Sequence, residues 1–427
     1  MSGLAKLLLT FSLKVSGSDL ARNSFTDELV QMGASVFTGE DGERRELLNA
    51  DVVIYTDAIS LENAELLTAK RLKKRLYSRG EFLSLVAKRF STVITVAGSH
   101  GKTTCTAMCA HILATAAAPF TAHIGGEDLR FKNFCFQGRE YFLTEACEYK
   151  KNLLKIKSDI AVLLNTDKDH LDCYNGEEDL KNCFLDYLNG AKQKIVCADE
   201  KGIKVDGAIT FGLSSNATYQ AKDLTAIGEK YSFTVYENGK HFCRVRLDVV
   251  GKCNVYNALA AIAVSRLLHI SARAIRVGLY SFKGVKRRFE RLGEAFGGEI
   301  IADYAHHPKE ILSTLKTAER MGQGRLFAVF QPHTYSRTKH LFQEFVDCLS
   351  GVENLMLFKT YAAREDKTDG MSALALKEKL PNALYAESLR EVEIWLKKSV
   401  RRGDVVLFLG AGDIYHVAKF LATQGNF

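Results

Sequence analysis

Apolar residues along this chain fall into short β-branched runs separated by stretches with helical spacing, the alternation expected of an α/β protein. The run Thr92-Val93-Ile94-Thr95-Val96-Ala97 predicts a strand. From Thr103 onward, Cys105, Met108, Cys109, Ile112 and Leu113 recur on one face of a predicted helix. Asp159–Leu164 is a compact apolar run suited to a buried parallel strand. Asn254–Leu268 carries Val255, Ala258, Leu259, Ile262 and Ala263 in helical register. Before residue 89 the pattern alternates between helix-like Leu4–Phe11, strand-like Leu13–Val15 and a charged helix near Glu81–Arg89. Gly297-Gly298 marks a hairpin between Arg291–Phe296 and Glu299–Asp303. Beyond it Leu326–Phe330, Thr338–Leu349, Leu355–Phe358, Ser388–Lys398, Val405–Leu409 and Ile414–Ala422 alternate as strands and helices of a parallel unit. The expectation is three consecutive α/β domains, residues 1–88, 89–288 and 289–427.

Composition narrows the class without deciding it. A chain of 427 residues exceeds what one core usually serves. The 47% hydrophobic and 25% charged fractions are those of a soluble globular protein. No apolar run reaches membrane-spanning length, so no membrane insertion is expected. Ten cysteines without paired C-x-x-C spacing argue for reduced thiols and a cytoplasmic setting, and against a zinc site. The net charge of +8 comes partly from clusters at Lys70–Arg75, Lys283–Arg291 and Lys397–Arg402. They lack aromatic interleaving or a recognisable module, so nucleic acid is not the expected partner. A basic balance suits polyanionic small substrates such as nucleotides.

The candidate chemistry begins at Gly98-Ser99-His100-Gly101-Lys102-Thr103-Thr104, between predicted strand and predicted helix. A glycine loop in that place aims backbone N–H groups at one spot, lysine adds charge, and a hydroxyl follows for a metal ion. Val96 stands where the strict phosphate-loop pattern has its first glycine, leaving a shorter Gly-x-x-Gly-Lys-Thr-Thr form. A nucleoside triphosphate with Mg²⁺ is the expected ligand. Glu145 and Glu148 follow an apolar strand and are candidate Mg²⁺ carboxylates, or simply surface acids. Asn165–Asp172 follows the strand ending at Leu164, where open α/β sheets bind ligands, and includes His170. Lys286–Glu290 brings arginines suited to phosphate to a domain junction. Asp303–Pro308 and Gln331–Thr338 each lie between a strand and a helix. Gly410-Ala411-Gly412 also follows a strand, but Tyr415 stands where the third glycine of a dinucleotide fingerprint belongs.

In this order the motifs resemble the Mur ligases of bacterial cell-wall synthesis. The resemblance rests on Val15–Asp19, Gly98–Thr104, Glu145–Tyr149, Asn165–Asp172, Gly251–Ala261, Gly284–Glu290, Asp303–Glu310 and Phe330–Thr338, and so covers nearly the whole chain. It implies a Rossmann-like N-terminal domain that binds a UDP substrate, a central phosphate-loop ATPase-type domain and a Rossmann-like C-terminal domain. It implies an ATP- and Mg²⁺-dependent joining of L-alanine to the lactyl carboxylate of UDP-N-acetylmuramate. Two rivals stay open: a ligase that reuses a recycled peptide, and a catalytically weak nucleotide-binding relative. Monomer and homodimer both stay open.

The family's roles carry onto matching positions. Gly98, Ser99, His100, Gly101, Lys102, Thr103 and Thr104 would cradle ATP, with Thr103 on one Mg²⁺, and Glu145 and His170 on a second. Asn254, Asn257, Arg288 and Asp303 would contact ATP. Tyr304, His306 and Arg337 would face the muramyl substrate and the amino acid, and Ser18 and Asp19 the UDP substrate. Lys102, Glu145, His170, His306 and Arg337 form the expected catalytic set. Cys253 stands where many relatives have histidine, and Thr334 where many have arginine. Several relatives use a carbamylated lysine where this chain has Cys183-Phe184-Leu185-Asp186, so no response to bicarbonate is expected. Relatives also carry a strand and a glycine-rich turn upstream of the position of Met1, and the N-terminal domain is expected to lack that first strand.

Overall fold

A computed structural model of the chain describes residues 1–167, 173–200, 202–321, 324–363, 365 and 371–424. Its backbone packs into two units. The first comprises Met1–Gln220, Val235–Cys243 and Asn257–Leu279; the second comprises Ala221–Thr234, Arg244–Tyr256 and Tyr280–Phe427.

The phosphate loop owes its position to a ten-stranded sheet. From one edge the strands run Lys240–Val250, Lys230–Glu237, Tyr219–Ile227, Ile209–Gly212, Gln193–Cys197, Ile160–Leu163, Thr92–Ala97, Tyr141–Glu145, Phe120–Asp128 and Lys132–Phe136. Thr92–Ala97 is parallel to both its neighbours, Tyr141–Glu145 and Ile160–Leu163. The chain leaves Thr92–Ala97 toward Phe120–Asp128 on one side and leaves the adjacent Ile160–Leu163 toward Gln193–Cys197 on the other, so the carboxyl ends of these two strands form a topological switch point, where open sheets have a crevice. Residues Val93–Ala97 are buried, which explains the β-branched run.

The helix after the loop is Lys102–Thr115 and starts one residue earlier than the spacing predicts. Its burial is not confined to one face, because every residue from Thr103 to Leu113 is buried. The sheet covers one side, and helix Ala272–Ser281 the other. A Cβ added at Gly278 of that second helix would lie 2.6 Å from the Ile112 Cα.

The second unit holds a six-stranded sheet in the order Glu290–Ala295, Gly298–Asp303, Val405–Leu409, Leu326–Phe330, Asn354–Phe358 and Leu384–Ala386. The first pair is the antiparallel hairpin expected at Gly297-Gly298, and the rest are parallel. Apolar clusters fill both faces of this sheet, one around Phe330, Phe345 and Leu407, the other around Phe327, Phe408 and Val392.

Near the N-terminus the expected strand Leu13–Val15 is displaced to Ser16–Asp19, because the Val15 carbonyl is the first to enter the ladder, accepting from Ser35 N–H at 3.1 Å. That strand pairs with Ser35–Thr38, while Val52–Tyr55 pairs separately with Arg75–Ser78. The single helix expected over Thr338–Leu349 is two, Tyr335–His340 and Phe342–Leu349, broken at Leu341. Helix Ala373–Lys379 and strand Leu384–Ala386 had no clear signal in the pattern.

Candidate functional site

In the first unit the loop is shaped by residues far away in sequence. Gly98 has φ +138° and Gly101 φ +84°, conformations that favour glycine. A Cβ at Gly98 would lie 3.1 Å from the Asn165 nitrogen, and one at Gly101 only 2.5 Å from Asn257 Oδ1. Asn165 staples the loop from both sides. Its Oδ1 accepts from His100 N–H at 2.8 Å, and its amide donates to His100 O at 3.0 Å. The Ser99 hydroxyl donates to Asp167 O at 2.8 Å, and the His100 ring lies 3.3 Å from the Asp167 carboxylate. Thr103 and Thr104 open the helix just beyond the loop. A loop with little room for a side chain at Gly98 or Gly101, at a helix N-terminus, with a lysine and a hydroxyl, fits a polyphosphate.

Lys102 donates to Gly98 O at 2.5 Å, to Ser99 O at 3.2 Å and to both oxygens of Glu148 at 2.9 and 3.0 Å. Burial alone would lower its pKa, but the Glu148 carboxylate outweighs that and holds the ammonium above its ordinary value. Glu145 ends its strand and accepts from Gly125 N–H at 2.6 Å. The absent Cβ of Gly125 leaves room for that approach, since one there would lie 2.5 Å from a Glu145 oxygen as the side chain now sits. The loop, Glu145, Glu148, Asn165 and Asn257 therefore gather in one unit. His170, the other expected metal ligand, lies outside the described residues. Among the described residues no group of three or more His, Cys, Asp or Glu side chains is arranged to hold a metal.

The second unit assembles the other candidates. Asp303 ends strand Gly298–Asp303, and its carboxylate accepts from Phe289 N–H and Ala305 N–H, both at 2.7 Å. Burial pushes its pKa up to about 6, opposed by Arg288 and reinforced by Glu310. Expected as an ATP contact, it is first of all the clamp joining the 287–289 turn to the 304–306 loop. Tyr304 lies under two guanidinium groups, Arg287 and Arg288, each 4.8 Å from the ring centroid. Its other neighbour is the His306 ring, at 5.3 Å. His306 meets His333 at 5.9 Å, and His333 stacks on Tyr361 at 5.5 Å. Arg337 Nη1 lies 3.2 Å from His333 Nδ1. The rings thus form a continuous file, with the cationic Arg287 and Arg288 at one end and Arg337 beside His333. Asn254 donates to Val250 O at 2.7 Å at the start of helix Cys253–Leu267, which carries Asn257 one turn further on.

Glu365 has no signal in the sequence, which marks Gln331 only as the first residue of the Gln331–Thr338 motif, with no role of its own. Glu365 accepts from Tyr335 N–H at 2.6 Å, from Ser336 N–H at 2.9 Å and from the Ser336 hydroxyl. Gln331 is buried and ties Lys359 O, Asp413 and Ile414 N–H together. The Gly410–Gly412 glycines serve this packing: a Cβ at Gly412 would lie 2.4 Å from Gln331 Oε1. No spacing rule marks such residues, because their partners are distant in sequence. Ser18 and Asp19 are exposed on their strand, and the Ser18 hydroxyl donates to Glu65.

A phosphate-type loop at a sheet's switch point, with a second parallel sheet carrying arginine and histidine loops, defines a nucleotide-dependent α/β enzyme. The chain belongs to the Mur ligase family. Residues 1–91 match the description Mur ligase family, catalytic domain; residues 96–265 match Mur ligase middle domain; residues 287–412 match Mur ligase, glutamate ligase domain. The fold is the three-domain α/β architecture of that family. The chain is 38% identical to a UDP-N-acetylmuramate–L-alanine ligase of Clostridium beijerinckii, over 98% of this chain and 94% of the relative. It is 40% identical to one of Clostridium tetani, over 97% and 94%. The crystal structure of a UDP-N-acetylmuramate–alanine ligase from Thermotoga maritima superposes with a TM-score of 0.85 at 26% identity, covering 99% of this chain and 96% of that one. Among the described residues no helix is long and apolar enough to cross a membrane.

Proposed function

We propose that this chain joins L-alanine to the lactyl carboxylate of UDP-N-acetylmuramate at the expense of ATP, in the cytoplasm, as a step of peptidoglycan precursor synthesis. The observation that carries the reading is the loop Gly98–Thr104, constrained by Asn165 and Asn257 into a phosphate cradle, in a chain that aligns over 98% of its length with 94% of a ligase of that name. Residues 1–88 would bind the UDP substrate, with Ser18 and Asp19 on its side. Residues 89–288 would bind ATP and residues 289–427 would bring the amino-acid side.

The chemistry follows from the substrate. A carboxylate resists nucleophiles because of its charge. One of its oxygens attacks the γ-phosphorus of ATP, ADP leaves, and an acyl phosphate forms. The L-alanine amine then attacks the carbonyl carbon, the C–O bond to phosphate breaks, and the nitrogen gives up a proton to complete the amide. The loop amides and Lys102 would hold the phosphates, and Asn254, Asn257, Arg288 and Asp303 would line the nucleotide. Mg²⁺, held by Thr103, Glu145 and His170, would offset the anionic crowding. Tyr304, His306 and Arg337 would orient the muramyl carboxylate and the amine. Phosphate release should require ATP, the muramyl nucleotide and L-alanine together. Equal release without the muramyl nucleotide would reduce the protein to a plain ATPase.

A further inference from the structure

Glu148, so far only a candidate Mg²⁺ carboxylate, makes a close charged contact with the lysine of the phosphate loop, at 2.9 Å. Its side chain is only 1% exposed, and both its oxygens face the Lys102 ammonium. An ammonium has three protons to donate. Here they are spent on the Glu148 carboxylate and on the loop's own carbonyls at Gly98 and Ser99. In this conformation the lysine is curled back on its loop and has no proton left for a phosphate. Glu148 is itself anchored, since its backbone carbonyl accepts from the buried Tyr174 hydroxyl. The turn that follows holds Lys150 and Lys151 in left-handed conformations, φ +51° and +54°.

We propose that Glu148 is a positioning residue that latches the phosphate-loop lysine in the nucleotide-free protein, and that the phosphates of an incoming nucleoside triphosphate take its place. The proposal rests on reading Gly98–Thr104 as a phosphate site. An ammonium largely removed from water is costly without a counter-charge, so the loop without nucleotide gains from a carboxylate there. Phosphate and carboxylate on one ammonium repel each other, so binding must release the latch. Glu148 therefore lowers nucleotide affinity while it keeps the empty loop folded. A carboxylate that instead held the lysine at its phosphate-binding position would have the opposite effect, since its loss would let the ammonium stray and weaken affinity.

Calorimetric titration of ATP with Mg²⁺ into Glu148→Gln separates the two. The amide keeps the shape and removes the charge. The variant should melt at a lower temperature without nucleotide, bind ATP about tenfold more tightly than wild type, and show a larger ATP-induced rise in melting temperature. In a Lys102→Met background the same change should leave ATP affinity unmoved. Should Glu148→Gln fail to fold, Glu148→Asp, which retracts the carboxylate by one methylene, should move affinity in the same direction by a smaller factor. Unchanged or weaker ATP binding by the folded variant overturns the latch. A wild-type protein that binds no ATP overturns the phosphate-site reading instead.

Discussion

Replacing Lys102 by methionine keeps the stem and removes the one charge inside the glycine loop. By comparison with deleting a single preorganised donor, turnover should fall about 10²–10³-fold. Wild-type turnover by Lys102→Met would show that the phosphates bind elsewhere. Asp303 makes a second prediction, and here the sign matters. Burial raises its pKa from 3.8 to about 6, so the folded state holds a proton that the unfolded state has lost between those values. Its ionisation therefore costs stability as pH rises from about 4 to 6, and the cost is absent below about 4. Asp303→Asn does not titrate. Thermal melts should show wild type gaining on the variant as pH falls from 6 to 4. A difference in melting temperature that stays constant, or changes the other way, would rule this out. Several carboxylates shift the other way, Glu28 and Asp404 among them, so only the difference between the two proteins reports on Asp303.

The strand–loop–helix at 92–115 is the element that carries function, and its geometry hangs on Gly101. An alanine there would have to keep φ near +84°, which costs about 1–2 kcal/mol for an L-residue, and would press its Cβ against Asn257. Gly101→Ala should remain folded with a lowered melting temperature and lose most of its ATP affinity. Unaltered affinity in calorimetric titration would mean that the loop tolerates a side chain where the packing leaves none. Most elements were legible because each has a local cause. Thr92–Val96 is β-branched and Val93–Ala97 is buried, and Gly297 turns a hairpin at φ +88°. The misses also have causes. The helix over Thr338–Leu349 breaks at Leu341, where the apolar spacing continues but the backbone does not. Thr334 adopts φ +66° because its N–H is tied to Tyr361 O and its neighbours to Glu365, contacts that no window of sequence contains.

At the scale of the whole chain, the matched UDP-N-acetylmuramate–L-alanine ligases cover 97–98% of this chain and 94% of their own length, so L-alanine is the expected amino acid. L-Alanine should support amide formation on UDP-N-acetylmuramate, and a muramyl-type tripeptide in its place should not. Ligation of the tripeptide at a comparable rate would favour the peptide-recycling reading. The sequence by itself determined the alternation of strands and helices, the glycine loop with its lysine, and the ordered set of motifs that marks the family, because each is written in neighbouring residues. Only the tertiary structure decided that Asn165 staples the loop, that Gly125 makes room for Glu145, that Asp303 clamps a turn, and that Glu148 grips Lys102. Glu148 shows why. In sequence it is one more acid beside Glu145, 46 residues from Lys102. Parallel strands Thr92–Ala97 and Tyr141–Glu145 lie side by side, and their carboxyl ends bring the buried carboxylate and the half-buried ammonium together. Hydrogen bonds and charges act through space, and the sheet sets which distant residues share that space.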